Sequence, residues 1–221
     1  MAERKPLALV NGAPAELAAA DTIPTSAWAG PADRRYGHLR ARDEEVYGDL
    51  YSPVDRTACG LTGNMSAKVI TISGIVSPRS VRASRFRFAV NTAGSHSDNP
   101  PVGIRVWGGT NLKRLTVLAS VQNLSADTFT SRGVKELALS ATIAPPAGSY
   151  VFAQFYIGSA WKAQPGLAGR TVSDALLNPD GGRRFELWKS NQDSDQSSPM
   201  DATSGWASPE RATQPWWALA A

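Results

Sequence analysis

Two histidines, His38 and His96, are the only imidazoles in the chain, and acid–base or nucleophilic chemistry would have to be built on one of them or on carboxylates. His96 lies in "GSHSDNPP" with Ser95 and Asp98 beside it. Residues this close in sequence point their side chains apart, so they do not line up as a proton relay. His38 sits near Asp33 and Arg40 with no nucleophile motif around it. Glycoside cleavage needs two acids roughly 5–10 Å apart. The candidates, Glu136, Asp174, Asp180 and Glu186, occupy no apolar cradle legible in the sequence. In "NQDSDQ", Asp193 and Asp195 have the two-residue spacing of a calcium loop but lack its glycine and closing glutamate. No phosphate loop or dinucleotide fingerprint is present, and Gly108-Gly109 in "VWGGTN" reads as a hairpin turn. The expectation is a chain that is not an enzyme, with no catalytic residues, no metal and no cofactor. A polysaccharide-degrading enzyme is the alternative from the enzyme class.

Binding chemistry is better supplied. Seven tryptophans are many for 221 residues. Exposed rings stack on the apolar faces of sugars while polar groups fix the hydroxyls. Trp107, Trp161, Trp188 and Trp206 fall at predicted strand ends or in loops, where they would serve as glycan contacts or as anchors in a core or subunit interface. Near the C-terminus, Trp216, Trp217 and Leu219 form an aromatic-apolar string after a polar stretch. Exposing a large apolar side chain forgoes about 1.5–3 kcal/mol, so these three are expected to be buried in a last strand or docking plug.

The elements that position these residues are strands. Fifteen prolines and nineteen glycines punctuate short apolar runs, the mark of many tight turns. From about Ser66, seven runs have strand length and β-branched or aromatic content: "AKVITISGIV", "SRFRFAVNT", "VGIRVWGG", "RLTVLASVQNL", "KELALSATIA", "SYVFAQFYIGS" and "RRFELWKS". "SYVFAQFYI" is apolar on both faces apart from Gln154, which predicts a central strand. In "SRFRF", alternation predicts Arg85 and Arg87 on a wet face and Phe86 and Phe88 on a buried one.

Charge adds little. The net charge is +4, but residues 1–65 carry seven Lys or Arg against nine Asp or Glu, and the basic excess beyond them is thinly spread. The densest stretch, Arg79, Arg82, Arg85 and Arg87, reads as a solvated strand face, so no nucleic-acid partner is expected. Cys59 is the only cysteine, which excludes an intrachain disulfide. No apolar run approaches the roughly 20 residues of a membrane span, and none has signal-peptide length near the start. The expectation is a soluble, cytoplasmically made protein without membrane insertion.

Ahead of the strand-rich part, "KPLALVNGAPAELAAADTI" contains an Asn11-Gly12 turn signal between two apolar patches, which predicts a small β-hairpin hook. Such a hairpin is marginal alone and needs something to dock on. The string resembles the N-terminal segment of many tail, fibre and other virion proteins of tailed bacteriophages. The matching positions are Lys5, Pro6, Leu7, Leu9, Val10, Asn11, Gly12, Leu17, Asp21, Thr22 and Ile23. Ala18-Ala19-Ala20 departs from that pattern, where a glycine often precedes the aspartate. Residues 24–65, with Trp28, Tyr36, Tyr47 and Tyr51 among mixed charges, hold no period and read as an extended arm with room for one short helix near Arg42 to Tyr47.

"VKELALSATIAPPAGSYVFAQFYIGSA" is similar to the jelly-roll sandwiches of carbohydrate-binding modules and galactose-binding-like domains. The likeness lies in the turn from Thr142 through Ile143, Ala144, Pro145, Pro146 and Ala147 to Gly148, the strand after it, and "TVSDALL" with Val172, Asp174 and Leu176. Together the two resemblances imply a mainly β protein: an anchoring hook (1–24), an extended arm (25–65) and a jelly-roll-like antiparallel β-sandwich (66–221). They imply a minor tail, fibre or spike component of a virion. Its partners would be other virion proteins through the hook and arm, further copies of itself in a trimer or other homo-oligomer, and host-surface polysaccharide. A capsid decoration or head-fibre protein and a free carbohydrate-binding module are the alternatives.

Overall fold

The structure, a computed structural model, describes residues 7–10, 13–16, 49–51, 59, 61–77, 80, 82–173, 186–189, 199–203 and 211–221, with side chains for 59, 65–77, 80, 82–169, 199–203 and 214–221. In chain order the strands are β1 (Leu7–Val10), β2 (Ala13–Glu16), β3 (Asp49–Tyr51), β4 (Leu61–Asn64), β5 (Val69–Val76), β6 (Ala83–Thr92), β7 (Ser95–His96) and β8 (Val102–Gly109). After these come β9 (Thr116–Ser120), β10 (Gly133–Ile143), β11 (Tyr150–Ile157), β12 (Trp161–Ala163), β13 (Gly166–Ser173), β14 (Glu186–Lys189), β15 (Arg211–Pro215) and β16 (Trp217–Ala220). A 3-10 turn at Ala126–Phe129 is the one helical element among the described residues. No described helix is long and apolar enough to cross a membrane.

Alternation dictates the strands where it is clean. In β6, Phe86, Phe88 and Val90 are buried while Arg85 is exposed and Arg87 half-buried, as a strand with one wet face requires. The expected central strand is β11, which lies between β5 and β8 in the sheet order β14-β5-β11-β8-β9. Buried on both faces, it can be apolar almost throughout.

The second sheet holds β4, β13, β6 and β10, with β3, β15 and β16 added. Taking β4, β5, β6, β8, β9, β10, β11 and β13 as strands one to eight, one sheet runs 1-8-3-6 and the other 2-7-4-5. That is the order of a jelly roll, and every pairing is antiparallel. Beside β6, β13 pairs only through Gly166 and Leu167. Beyond them β16 takes the place beside β6, from Trp217 against Phe88 to Ala220 against Arg85, and β15 pairs with β13 from Gly169 to Ser173.

Between the sheets the core is aromatic. Phe86 stacks on Trp217 at 5.9 Å between ring centroids and meets Phe155 at 6.0 Å, while Phe88 meets Phe129 at 5.4 Å. A second apolar layer covers the outer face of the five-stranded sheet, where Ile70, Ile72, Trp107, Phe152 and Tyr156 pack with Leu115 and Met200. Residues 199–203 are pinned there by Leu115 and Met200 exchanging backbone hydrogen bonds at 2.8 Å, and by Ala202 N–H donating to Leu112.

Two readings change. Gly108 and Gly109 belong to β8 and make no turn. A Cβ at Gly108 would lie 2.6 Å from Leu118 Cδ1, so close packing by the neighbouring strand accounts for that glycine. The sandwich also recruits strands from the segment read as an arm, since β4 pairs with β13 and β3 with β16. The helix considered near Arg42 to Tyr47 lies outside the described residues. In the hook, β1 and β2 pair in the register Val10 to Ala13, leaving Asn11 and Gly12 between them, and form a two-stranded sheet of their own.

Candidate functional site at the four-loop end

A jelly roll gathers its connections at two ends. The β4–β5, β6–β8, β9–β10 and β11–β13 connections lie together, and backbone hydrogen bonds tie them: Met65 N–H to Pro165 O, Gly94 N–H to Phe129 O and Gly158 N–H to Pro101 O. Each of these four loops contains one non-glycine residue in the left-handed region, namely Lys68, Asn99, Asn123 and Ala160, and together they are all such residues described. Asparagine tolerates that conformation, so the strain rests on Lys68 and Ala160, at a cost on the order of 1 kcal/mol each.

Within this end, β7 pairs with β12 so that His96 registers opposite Trp161. The His96 ring meets Trp161 edge-on at 5.2 Å, and Phe129 meets the same indole edge-on at 6.3 Å. Only Gly94 fits beneath, because a Cβ there would lie 2.8 Å from Trp161 Cζ3. From the third loop, the 3-10 turn brings Asp127 Oδ1 to 3.1 Å from His96 Nε2. The imidazole is only 10% exposed whereas the Asp127 side chain is 79% exposed.

The distance suits an ion pair once His96 is protonated, yet the two groups are not aligned as a hydrogen bond. His96 Nδ1 and Nε2 and Trp161 Nε1 are all buried without a hydrogen-bond partner. Each such group costs about 1–3 kcal/mol. With nothing bonded to Nδ1, the imidazole lacks the orienting group that a proton relay uses.

The tryptophans separate. Trp107 is a correction: it lies within β8, fully buried, with its indole N–H donating to Gln154 Oε1 at 2.9 Å, and it offers no surface to a glycan. Leu115, eight positions on, and Met200, remote in sequence, cover that face of the sheet. Trp161 is half-buried at the loop end. Trp188 registers against Thr71 in β14, with its side chain outside the described residues, as is the whole of Trp206. Trp216, Trp217 and Leu219 are buried, Trp217 and Leu219 in the central core and Trp216 with Ala218, Ala89 and Cys59 in a separate cluster.

The other predicted positions divide in the same way. Leu7, Leu9 and Val10 lie in β1, while Lys5, Pro6, Asn11, Gly12, Leu17, Asp21, Thr22 and Ile23 lie outside the described residues. So do His38, Asp174, Asp180, Asp193 and Asp195. Glu136 pairs with Arg87. Asp98 accepts a hydrogen bond from Ser97 Oγ at 3.0 Å, and the carboxylate that His96 meets is Asp127, 31 positions away in another loop. Nothing local in the sequence marks Asp127 or Phe129 as its neighbours. Among the described residues, no group of three or more His, Cys, Asp or Glu side chains is placed to hold a metal ion. Compared with known proteins, the chain matches no protein-family model and no curated protein.

Proposed function

We propose that this chain is a structural component of a tailed-bacteriophage virion, a minor tail, fibre or spike protein that works by binding and not by turnover. Its N-terminal segment anchors it to neighbouring virion proteins, copies of the chain associate as a homo-oligomer, and the sandwich projects from the particle toward host-surface polysaccharide. The observation that carries this reading is the pairing of Asp49 with Ala220, which itself pairs with Arg85 near the start of β6. The chain coming from the hook therefore meets the sandwich at the end opposite the four loops. In this reading the hook holds the chain to the particle and the His96 and Trp161 end faces outward. The separate β1–β2 sheet adds support, because a two-stranded hairpin needs a partner surface to be stable.

Deleting residues 1–24 tests the reading. The truncated chain is expected to keep a cooperative sandwich and to be lost from purified particles. Incorporation at the level of the full chain would sink the anchoring role, and the full chain's absence from particles would sink the virion assignment.

A further inference from the structure

We infer that the four-loop end is a recognition site for one neutral pyranose residue of a glycan, with Trp161 as its platform and His96, Trp161 Nε1 and Asp127 as its hydroxyl partners. This deepens the reading of the sandwich as an outward-facing binder. Three independent observations converge on these residues. The topology turns this end away from where the chain from the hook comes in. The left-handed non-glycine residues described are distributed over these four loops, one in each. Two of the four, Lys68 and Ala160, are strained there, and such strain collects at ligand clamps and needs the surrounding structure to hold it. Finally, His96 is nine-tenths buried and neither ring nitrogen makes a hydrogen bond, Nε2 having only the Asp127 carboxylate at 3.1 Å and Nδ1 no polar partner, and the Trp161 indole N–H beside it makes none either.

The chemistry of the set selects the ligand class. A neutral imidazole offers one donor and one acceptor, the indole offers a donor, and a carboxylate accepts. Sugar hydroxyls both donate and accept, so two or three neighbouring hydroxyls can satisfy all of these at once. The half-buried indole supplies apolar surface for a ring face. An anionic ligand fits poorly, because Asp127 stands 3.1 Å from His96 and Asp98 lies two residues along the same loop. His96 Nδ1 and Nε2 and Trp161 Nε1 are buried, so binding requires movement; Asp127, 79% exposed, is the neighbour free to swing away from Nε2 and accept from a hydroxyl.

The test uses the full chain, nitrogen-15 labelled, with the methyl glycosides of glucose, galactose, mannose, N-acetylglucosamine and N-acetylgalactosamine as probes. At least one glycoside is expected to shift the indole N–H signal of Trp161 and the ring signals of His96 saturably, while Trp107 and Trp217 stay in place as markers of an intact core. Trp161→Ala should weaken that glycoside at least about tenfold. Should Trp161→Ala fail to keep the core signals, His96→Ala carries the same expectation. The inference is overturned if no glycoside moves Trp161, or if binding survives both substitutions. Particle incorporation of the same variants separates the two readings. Full incorporation without glycoside binding removes this inference and leaves the virion role. Glycoside binding by a chain never found in particles does the reverse.

Discussion

The indole N–H of Trp107 on β8 donates to the side-chain oxygen of Gln154 on β11 at 2.9 Å, and both residues are fully buried under the second apolar layer. Replacing Gln154 by Leu leaves that N–H buried without its acceptor, at a cost of about 1–3 kcal/mol. In a Trp107→Phe background the same substitution should cost less, since no indole N–H remains to be orphaned. Urea unfolding of the four proteins of the cycle measures the coupling. Equal costs in both backgrounds would show that the bond contributes nothing.

Trp217 stacks on Phe86 and sits in the central core, although it lies four positions before Ala221. Trp217→Ala should destabilise by about 3–5 kcal/mol, the range for losing a large buried aromatic. Deleting 216–221 also removes the strand beside β6, and should abolish the cooperative transition. Thermal unfolding followed by tryptophan fluorescence reads both.

How far the sequence leads is clearest from these elements. Phe86 and Phe88 alternate with Arg85 and Arg87, so both faces of β6 were legible, as was the central place of β11 from a run that is apolar on both faces apart from Gln154. By contrast β4, "LTGN", has neither alternation nor β-branched richness, and only its pairing with β13 about a hundred positions later makes it a strand. Trp107 was misplaced for a related reason. The Gly-Gly after it resembled a turn, and its cover comes from Met200, which no local pattern connects to it. The candidate site was half visible. Trp161 and His96 could be singled out by type, but their pairing, and Asp127 between loops, follow from the order of strands in the two sheets.

Gly74 in β5 lies under the ring of Phe152 on β11, and a Cβ there would come within 2.3 Å of Phe152 Cδ1. Gly74→Ala should therefore cost about 1–3 kcal/mol through overpacking. Adding Phe152→Leu should make the alanine cheaper than it is in the parent, measurable by chemical denaturation. A neutral Gly74→Ala would mean that the outer layer yields more readily than a packed interior does.

Ala160 has φ of +74°, which glycine adopts freely and alanine does not. Ala160→Gly is expected to leave stability unchanged or raise it by up to about 1 kcal/mol, the relieved strain being offset in part by the larger entropy of an unfolded glycine. Differential scanning calorimetry checks the sign. A clear loss would indicate that the Ala160 methyl group contributes packing that outweighs its strain.

Because Asp49 pairs with Ala220, both ends of the described sandwich leave from one side and the four loops form the other. A pull between those two sides runs along the strands. The hydrogen bonds joining the strands lie across that direction and are loaded together in shear, so they cannot open one after another. A module of this topology resists such a pull through many bonds at once, whereas a force applied across the sheet would peel away an edge strand such as β9 bond by bond.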